Sequence, residues 1–346
     1  MASDPTHVRI SSAYGYAGSQ LLWFRQTPNN DGVWGELAAH LDEGDVDADW
    51  VVAINEPFDP LTTTAPIERR ILFIAEPPGV QDYPARYANQ FGVVVSPYAI
   101  PGFRGRTLIQ QSALYWHYGL DQRGGERLAA ALKWADLAAD KPKSKLASVI
   151  CSSKTLVPHQ HQRLAFVDRL MSRLGDRIDR FGNGVQPIND KQDAIGPYKY
   201  HIVLENNTID HFWTEKLGDA YLGDAFPIYA GCANIESYFD GRSLRRIDIF
   251  DLDRAVDEVA RVLDSTTWED SRAYVREARR RVMNEYNLFP VIAKIIAGSE
   301  PGVRSAERVA RTEVKATLRR RIKKFRRGLR DRLRRAFATR GRRRRG

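Results

Sequence analysis

Short apolar runs alternate with helical patterns along most of the chain. The runs DWVVAIN (49–55), RRILFIAE (69–76) and FGVVVSPY (91–98) each end in polar or turn residues, as buried strands do. The same pattern returns in the second half at 146–153, 200–206 and 226–231. Helical spacing predicts helices over 125–140, 161–175 and 214–225. This alternation predicts an α/β fold with a parallel sheet in each half.

The 346 residues are enough for two domains of ordinary size. The segment KPKSK (141–145) separates the halves, so we predict an N-terminal domain over 1–140 and a C-terminal domain over 146–300. A basic tail follows over 301–346. In parallel sheets ligands bind at the carboxyl ends of strands, which directs attention to the polar residues there.

The net charge of +10 is unevenly distributed along the chain. Residues 301–346 hold 20 Lys or Arg against 3 Asp or Glu, which leaves 33 basic and 40 acidic residues in the body. The body is therefore mildly acidic, and the tail alone makes the protein basic. This asymmetry predicts two different partners.

The composition also excludes several classes of protein. The chain contains no run of about 18 apolar residues, so no membrane-spanning helix is predicted. The N-terminus does not resemble a secretory signal. Cys151 and Cys232 are the two cysteines, which favours a reducing compartment without a cysteine zinc site. His159 and His161 lack a third nearby ligand, so no metal site is expected. We expect a cytoplasmic protein.

Polar residues concentrate where the strand at 200–206 runs into the helix at 214–225. Thr214 is a good N-cap for that helix, whose free N–H groups and partial positive charge suit phosphate. Lys216 lies in the first turn, where the helix dipole repels cations, and a bound anion would remove that penalty. Glu215 can accept hydrogen bonds from paired hydroxyls such as those of a ribose. The alternative is a surface helix start with ordinary charges.

The segment YKYHIVLENNTIDHFWTEKLGDAYLGDAFPIYAG resembles the signature of family 10 glycosyltransferases, the α1,3/α1,4-fucosyltransferases. The matching elements are the YKY of 198–200, the LEN of 204–206 and the TEK of 214–216. Pro227 and Gly231 close the pattern. The order, the spacing and the strand–loop–helix–strand context all agree.

Upstream segments resemble the same family. LASVICSS followed by QRLAFVDRL resembles its strand and helix, and the family's arginine that contacts the nucleotide diphosphate falls on Arg163. ILFIAEPPG resembles the family's strand that ends in a glutamate, which places the presumed catalytic base on Glu76. Glu56 in AINEPFDP also follows a strand and precedes a proline, so by local pattern alone it could equally be the base. The order of the strands favours Glu76.

The resemblance implies a GT-B architecture, in which two Rossmann-like domains face each other across a cleft. It further implies inverting transfer of fucose from GDP-fucose to a glycan acceptor, with no cofactor. The donor-binding residues would be Arg163, Glu205, Asn206, Thr214, Glu215 and Lys216. Leu204 and Phe212 depart from the family pattern, so another GDP-sugar remains an alternative donor.

The basic tail carries apolar residues at helical spacing. Val314 begins this apolar stripe, which continues through Leu318, Ile322, Phe325, Leu329, Leu333 and Phe337. A cationic amphipathic helix of this kind suits an anionic membrane surface, which residues 312–346 would bind. Nucleic-acid binding and a coiled-coil seam are the rivals, and nucleic acid is the less expected partner.

These features together predict a glycosyltransferase held peripherally on the inner face of a bacterial-type cytoplasmic membrane. By analogy the acceptor would be a lipopolysaccharide-type glycan and the linkage α1,3. The alternative function is that of a non-catalytic protein with the same fold, which binds a membrane or nucleic acid.

Overall fold

The computed structural model describes residues 4–12, 20–41, 47–57, 60–121, 123, 131–153, 158–304 and 307–317. Within these ranges the chain forms two α/β domains, each built around a mainly parallel sheet. The predicted GT-B fold class, with two Rossmann-like domains, is confirmed. The predicted amphipathic helix of the tail, with Leu318, Ile322, Phe325, Leu329, Leu333 and Phe337, lies outside the described residues.

The N-terminal sheet has seven strands in the described chain. They are β1 (Thr6–Ser12), β2 (Val33–Trp34), β3 (Leu37–Leu41), β4 (Trp50–Ile54), β6 (Arg70–Phe73), β7 (Val93–Ser96) and β8 (Arg106–Ile109). Their order is β2-β3-β1-β4-β6-β7-β8, and only β2 pairs antiparallel. The central strands β4, β6 and β7 are buried at every position, because a parallel sheet is covered on both faces. The short elements α1 (Gln20–Phe24), β5 (Leu61–Thr63) and α2 (Ala85–Ala88) connect them.

The C-terminal sheet is wholly parallel in the described chain, with the order β10-β9-β11-β12-β13. Its strands are β9 (Lys145–Ile150), β10 (Ile178–Phe181), β11 (Tyr198–Leu204), β12 (Phe226–Ala230) and β13 (Arg245–Arg246). The surrounding helices are α3 (Trp134–Ala138), α4 (Pro158–Leu174), α5 (Gln192–Ile195), α6 (Glu215–Leu222), α7 (Leu252–Leu263) and α8 (Thr267–Asn284). The helix predicted over 125–140 is shorter than expected in its described part, where only α3 is helical.

The domain boundaries remain a prediction, but the two cores extend across them. Helix α9 (Leu288–Ala297) follows the C-terminal sheet in sequence, yet it packs on the N-terminal one. Phe289 and Ile292 join the same buried cluster as Val52, and all three are at most 1% exposed. Conversely, Trp116 precedes the predicted linker and belongs to the C-terminal core. Each domain therefore contributes a segment to the other.

The beginning of the tail is part of the N-terminal domain. After α10 (Pro301–Arg304), strand β14 (Thr312–Val314) pairs antiparallel with β5. Val314 is fully buried in an apolar cluster of that domain, and the Lys315 N–H donates to Gln90 Oε1 over 2.9 Å. Assigning Val314 to the membrane-binding stripe was therefore wrong, because its side chain is already used for packing.

No helix in the described part of the chain is both long and apolar enough to cross a membrane.

Candidate functional site

A cavity of about 200 Å³ lies between the domains, near the carboxyl ends of β6 and β11. Its N-terminal side is formed by Glu76, Leu114 and Tyr115, and its C-terminal side by residues of the segment 205–216. We call it the cleft cavity. The fold thus brings the predicted base and the predicted donor-binding segment to one place, although 128 residues separate Glu76 from Glu205.

Glu76 and Glu56, the two candidate bases, lie in different surroundings. Glu76 is partly exposed and lines the cleft cavity, and the turn that carries it is fixed because Tyr98 donates to its carbonyl oxygen over 2.8 Å. Glu56 is 1% exposed, and its Oε1 accepts the N–H of Thr317 over 3.3 Å. Of the two, Glu76 has the geometry in which an acceptor hydroxyl could reach the carboxylate.

A buried carboxylate organises the segment 205–216. Glu205 is 0% exposed, and its oxygens accept the backbone N–H of Thr214 at 2.8 Å and the Thr214 hydroxyl at 2.8 and 2.9 Å. Lys216 Nζ donates to Glu205 Oε2 over 3.2 Å. Thr214 in turn caps α6 as predicted, because its Oγ1 accepts the N–H of Lys216.

This arrangement corrects the reasoning about Lys216. The sequence suggested that only a bound anion would compensate a lysine at the positive end of α6, but Glu205 and Glu215 already do so, at 3.2 and 3.5 Å. Glu205 therefore acts behind the site by holding Thr214 and Lys216. Lys216 remains 29% exposed along its side chain, so its ammonium is still available to a ligand.

The charges at the start of α6 perturb one another strongly. Burial alone would raise the pKa of Glu215, but Lys216 and Lys191 outweigh it and hold that pKa well below its ordinary value. Burial alone would lower the pKa of Lys216, but Glu205 and Glu215 outweigh it and raise that pKa. Both groups are therefore ionised at neutral pH.

A second cavity, of about 250 Å³, lies within the C-terminal domain. We call it the C-terminal cavity. Arg163 and Lys191 line it, together with Gly182 and Asn183 of the loop after β10. Arg163 comes from α4, is 8% exposed, and donates to the side-chain oxygen of Asn206. This contact joins two of the predicted donor-binding residues.

The two cavities share His117, Glu215 and Lys216. Each alone is smaller than the ~300–1,000 Å³ usual for ligand pockets, whereas joined through these residues they reach that range. Lys216 lies at their junction, Arg163 and Lys191 line the C-terminal cavity, and the carboxylate of Glu76 lies at the other end. An elongated anionic ligand with its reactive end towards Glu76 fits this arrangement. Among the described residues, no group of three or more His, Cys, Asp or Glu could hold a metal ion.

Sequence reasoning missed Lys191 and His117. Lys191 Nζ is 2.7 Å from Asp219 Oδ2 and 3.7 Å from Glu215 Oε1, and it adds a cation to the C-terminal cavity. His117 reaches the site from the other side of the linker. Lys191 lies in a polar loop without a motif, and His117 lies in QSALYWHYG, so the local pattern gave little signal for either.

Comparisons with known proteins agree with the fold. Residues 140–279 match the family described as glycosyltransferase family 10 (fucosyltransferase), C-terminal part. An α1,3-fucosyltransferase crystal structure is similar at a TM-score of 0.50 and 18% identity, covering 84% of this chain and 95% of that one. The structure of an α1,3-fucosyltransferase with GDP is similar at a TM-score of 0.50 and 17% identity, and the match covers 84% of this chain and 94% of that one. No curated protein sequence matches the chain.

The two facing Rossmann-like domains have the GT-B fold. Residues 140–279, which contain α4, β11 and α6, match the model of glycosyltransferase family 10, the fucosyltransferases.

The cluster around Lys216 yields a prediction about stability. Lys216→Met should lower the free energy of unfolding by about 2 kcal/mol at neutral pH, because it leaves the buried Glu205 without its cation. The partner Glu215 has a depressed folded-state pKa, so its contribution is present above its unfolded pKa of 4.5 and is lost as the pH falls below it. Urea unfolding of both proteins should therefore show a smaller difference at about pH 3.5 than at about pH 7.

Lys199→Met is the matched control, because Lys199 pairs with Glu269 on the surface. That substitution should lower the free energy of unfolding by about 1 kcal/mol or less at either pH. If Lys216→Met lowers the free energy of unfolding by the same amount at both pH values, the electrostatic explanation is wrong.

Proposed function

We propose that the protein transfers L-fucose from GDP-fucose to a hydroxyl of a glycan acceptor, with inversion at the anomeric carbon. The observation that carries the proposal is that Glu76 of one domain and Lys216 of the other line the same cleft cavity. A base and a stabiliser of the leaving group are the two functions that such a displacement needs.

In the proposed reaction, the Glu76 carboxylate takes the proton of the acceptor hydroxyl. The freed oxygen attacks the anomeric carbon from the face opposite the diphosphate. The bond between that carbon and the phosphate oxygen breaks, and the electron pair leaves with GDP. Fixed positive groups facing the departing oxygen then lower the barrier without reorganising.

Three positive features would receive the leaving diphosphate. They are the guanidinium of Arg163, the ammonium of Lys216 and the N–H groups at the start of α6. Glu215 would accept hydrogen bonds from ribose or sugar hydroxyls, since it is ionised and lines both cavities. Asn206, held by Arg163, would contact the donor beside it.

The donor sugar is proposed with one alternative. Phe212 is 1% exposed and lines the cleft cavity, where it offers no hydroxyl, and Leu204 is buried beside the C-terminal cavity. These are the positions that depart from the family pattern. Another GDP-sugar is therefore the second candidate donor, and a direct comparison of turnover with each donor distinguishes the two.

The base assignment is tested by Glu76→Gln. Losing the base should lower kcat on the order of a hundredfold or more, with the affinity for GDP retained, because Glu76 lies on the N-terminal side of the cleft cavity, opposite the proposed donor-binding residues. Transfer of fucose from GDP-fucose is measured beside GDP titration. The matched control is Glu56→Gln, which should keep turnover. If Glu76→Gln works near the wild-type rate while Glu56→Gln does not, the assignment is wrong.

We further propose that the tail holds the enzyme peripherally on the inner face of a bacterial cytoplasmic membrane, where an α1,3 linkage to a lipopolysaccharide-type glycan would be made. The support is compositional: residues 301–346 contain 20 basic and 3 acidic residues with apolar residues at helical spacing. Since the chain up to Thr317 is attached to the N-terminal domain, the membrane-binding part would begin at Leu318.

Vesicle flotation tests the tail. The full chain should float with anionic vesicles, and a chain ending at Thr317 should not, because each basic residue near the surface contributes roughly 1 kcal/mol. A control with Ile322, Phe325 and Leu329 changed to Ser keeps the charge and should bind more weakly. Preference for RNA over anionic vesicles in a parallel assay would refute the membrane proposal.

A further inference from the structure

The backbone around His117 is held by acidic side chains of the C-terminal domain. The N–H groups of His117 and Tyr118 both donate to Asp219 Oδ1, each over 2.9 Å, and Asp219 is 0% exposed. The next N–H, of Gly119, donates to Asp190 Oδ1 over 2.9 Å. Three successive amides are therefore fixed to one domain.

The carbonyl groups of the same segment are held from the other domain. Arg25 is 3% exposed, and its guanidinium donates to Gly119 O over 2.8 Å and also to Tyr118 O. Hydrogen bonds from charged groups are stronger than neutral ones. Both edges of this backbone are therefore bonded to ionic groups, of which Asp219 and Arg25 are buried, and this fixes the direction in which the His117 side chain leaves it.

The imidazole of His117 occupies the junction of the two cavities. It lines both of them, together with Glu215 and Lys216. Its ring packs against Tyr115, with 4.8 Å between ring centroids. Within the described residues, neither ring nitrogen has a hydrogen-bond partner, although the backbone N–H of the same residue is bonded to Asp219. A rigidly held polar group with unused hydrogen-bonding capacity is what a ligand site requires.

The ring is neutral at physiological pH. Burial, assisted by Lys191, lowers the pKa of His117 to about 4, against the opposing effect of Glu215 and Asp219. A neutral imidazole offers one N–H donor and one acceptor nitrogen. It can therefore donate to an anion between Lys191 and Lys216 without adding a further charge to that crowded site.

We infer that His117 is a donor-binding residue whose ring N–H donates to an oxygen of the sugar-bearing phosphate of a nucleoside diphosphate sugar. This inference rests on the proposed function, and it assigns to the N-terminal segment a direct contact with the leaving group. The diphosphate would then be held from both sides, by Lys216 on α6 and by His117 on the segment that connects the domains.

Isothermal titration with GDP and with GMP tests the inference, because GMP lacks the second phosphate. His117→Ala should bind GDP about tenfold or more weakly and should bind GMP as the wild type does. His117→Gln and His117→Asn place an amide N–H near one or the other ring nitrogen, and one of them should recover most of the GDP affinity. His40→Gln is the matched control, since His40 contacts His7 and lines neither cavity.

The outcomes distinguish a failure of this inference from a failure of the proposed function. Equal weakening of GDP and GMP in His117→Ala would overturn the phosphate contact and indicate a general disturbance of the site. GDP affinity within about twofold of the wild type would also overturn it. A wild-type protein that binds neither nucleotide would remove the proposed function itself, and the inference with it.

Discussion

The buried carboxylate of Glu205 is the constraint on which the site depends. It lies at the end of β11, is 0% exposed, and receives hydrogen bonds from Thr214 and Lys216 at the start of α6. A buried charge is tolerated only when it is paired and hydrogen-bonded, so the strand end, the loop and the helix start must adopt this one arrangement. The positive end of α6 is thereby fixed towards the cavities.

The second constraint is the way in which the domains exchange segments. The chain at 117–119 crosses the cleft bonded to Asp219 on one side and Arg25 on the other, while α9 returns to the N-terminal core. These crossings bring Glu76 to the same cavity as Lys216. Because they are built from buried ionic groups and apolar packing, the relative position of Glu76 and Lys216 is a property of the fold.

The strands and the segment that lines the cleft cavity could be predicted because their signals are local. Each buried strand is a short apolar run, and the spacing of Glu205, Thr214 and Lys216 is a motif within one strand–loop–helix unit. The compensation of Lys216 by Glu205 could not be predicted, since it depends on the conformation of the loop between them. The packing of α9 was missed for a similar reason, because an apolar helical pattern does not reveal which of two cores will bury it. His117 acquires its position through contacts more than 100 residues distant in sequence.

Titration of GDP into wild-type protein and into Glu205→Gln tests the central claim most directly. Glu205 is fully buried and holds Thr214 and Lys216, so removing its charge should disturb the ligand through those two residues. We expect the wild type to bind GDP and the folded variant to bind it about tenfold or more weakly. A wild type without affinity for GDP, or a folded variant with unchanged affinity, would show that Glu205 does not organise a diphosphate site.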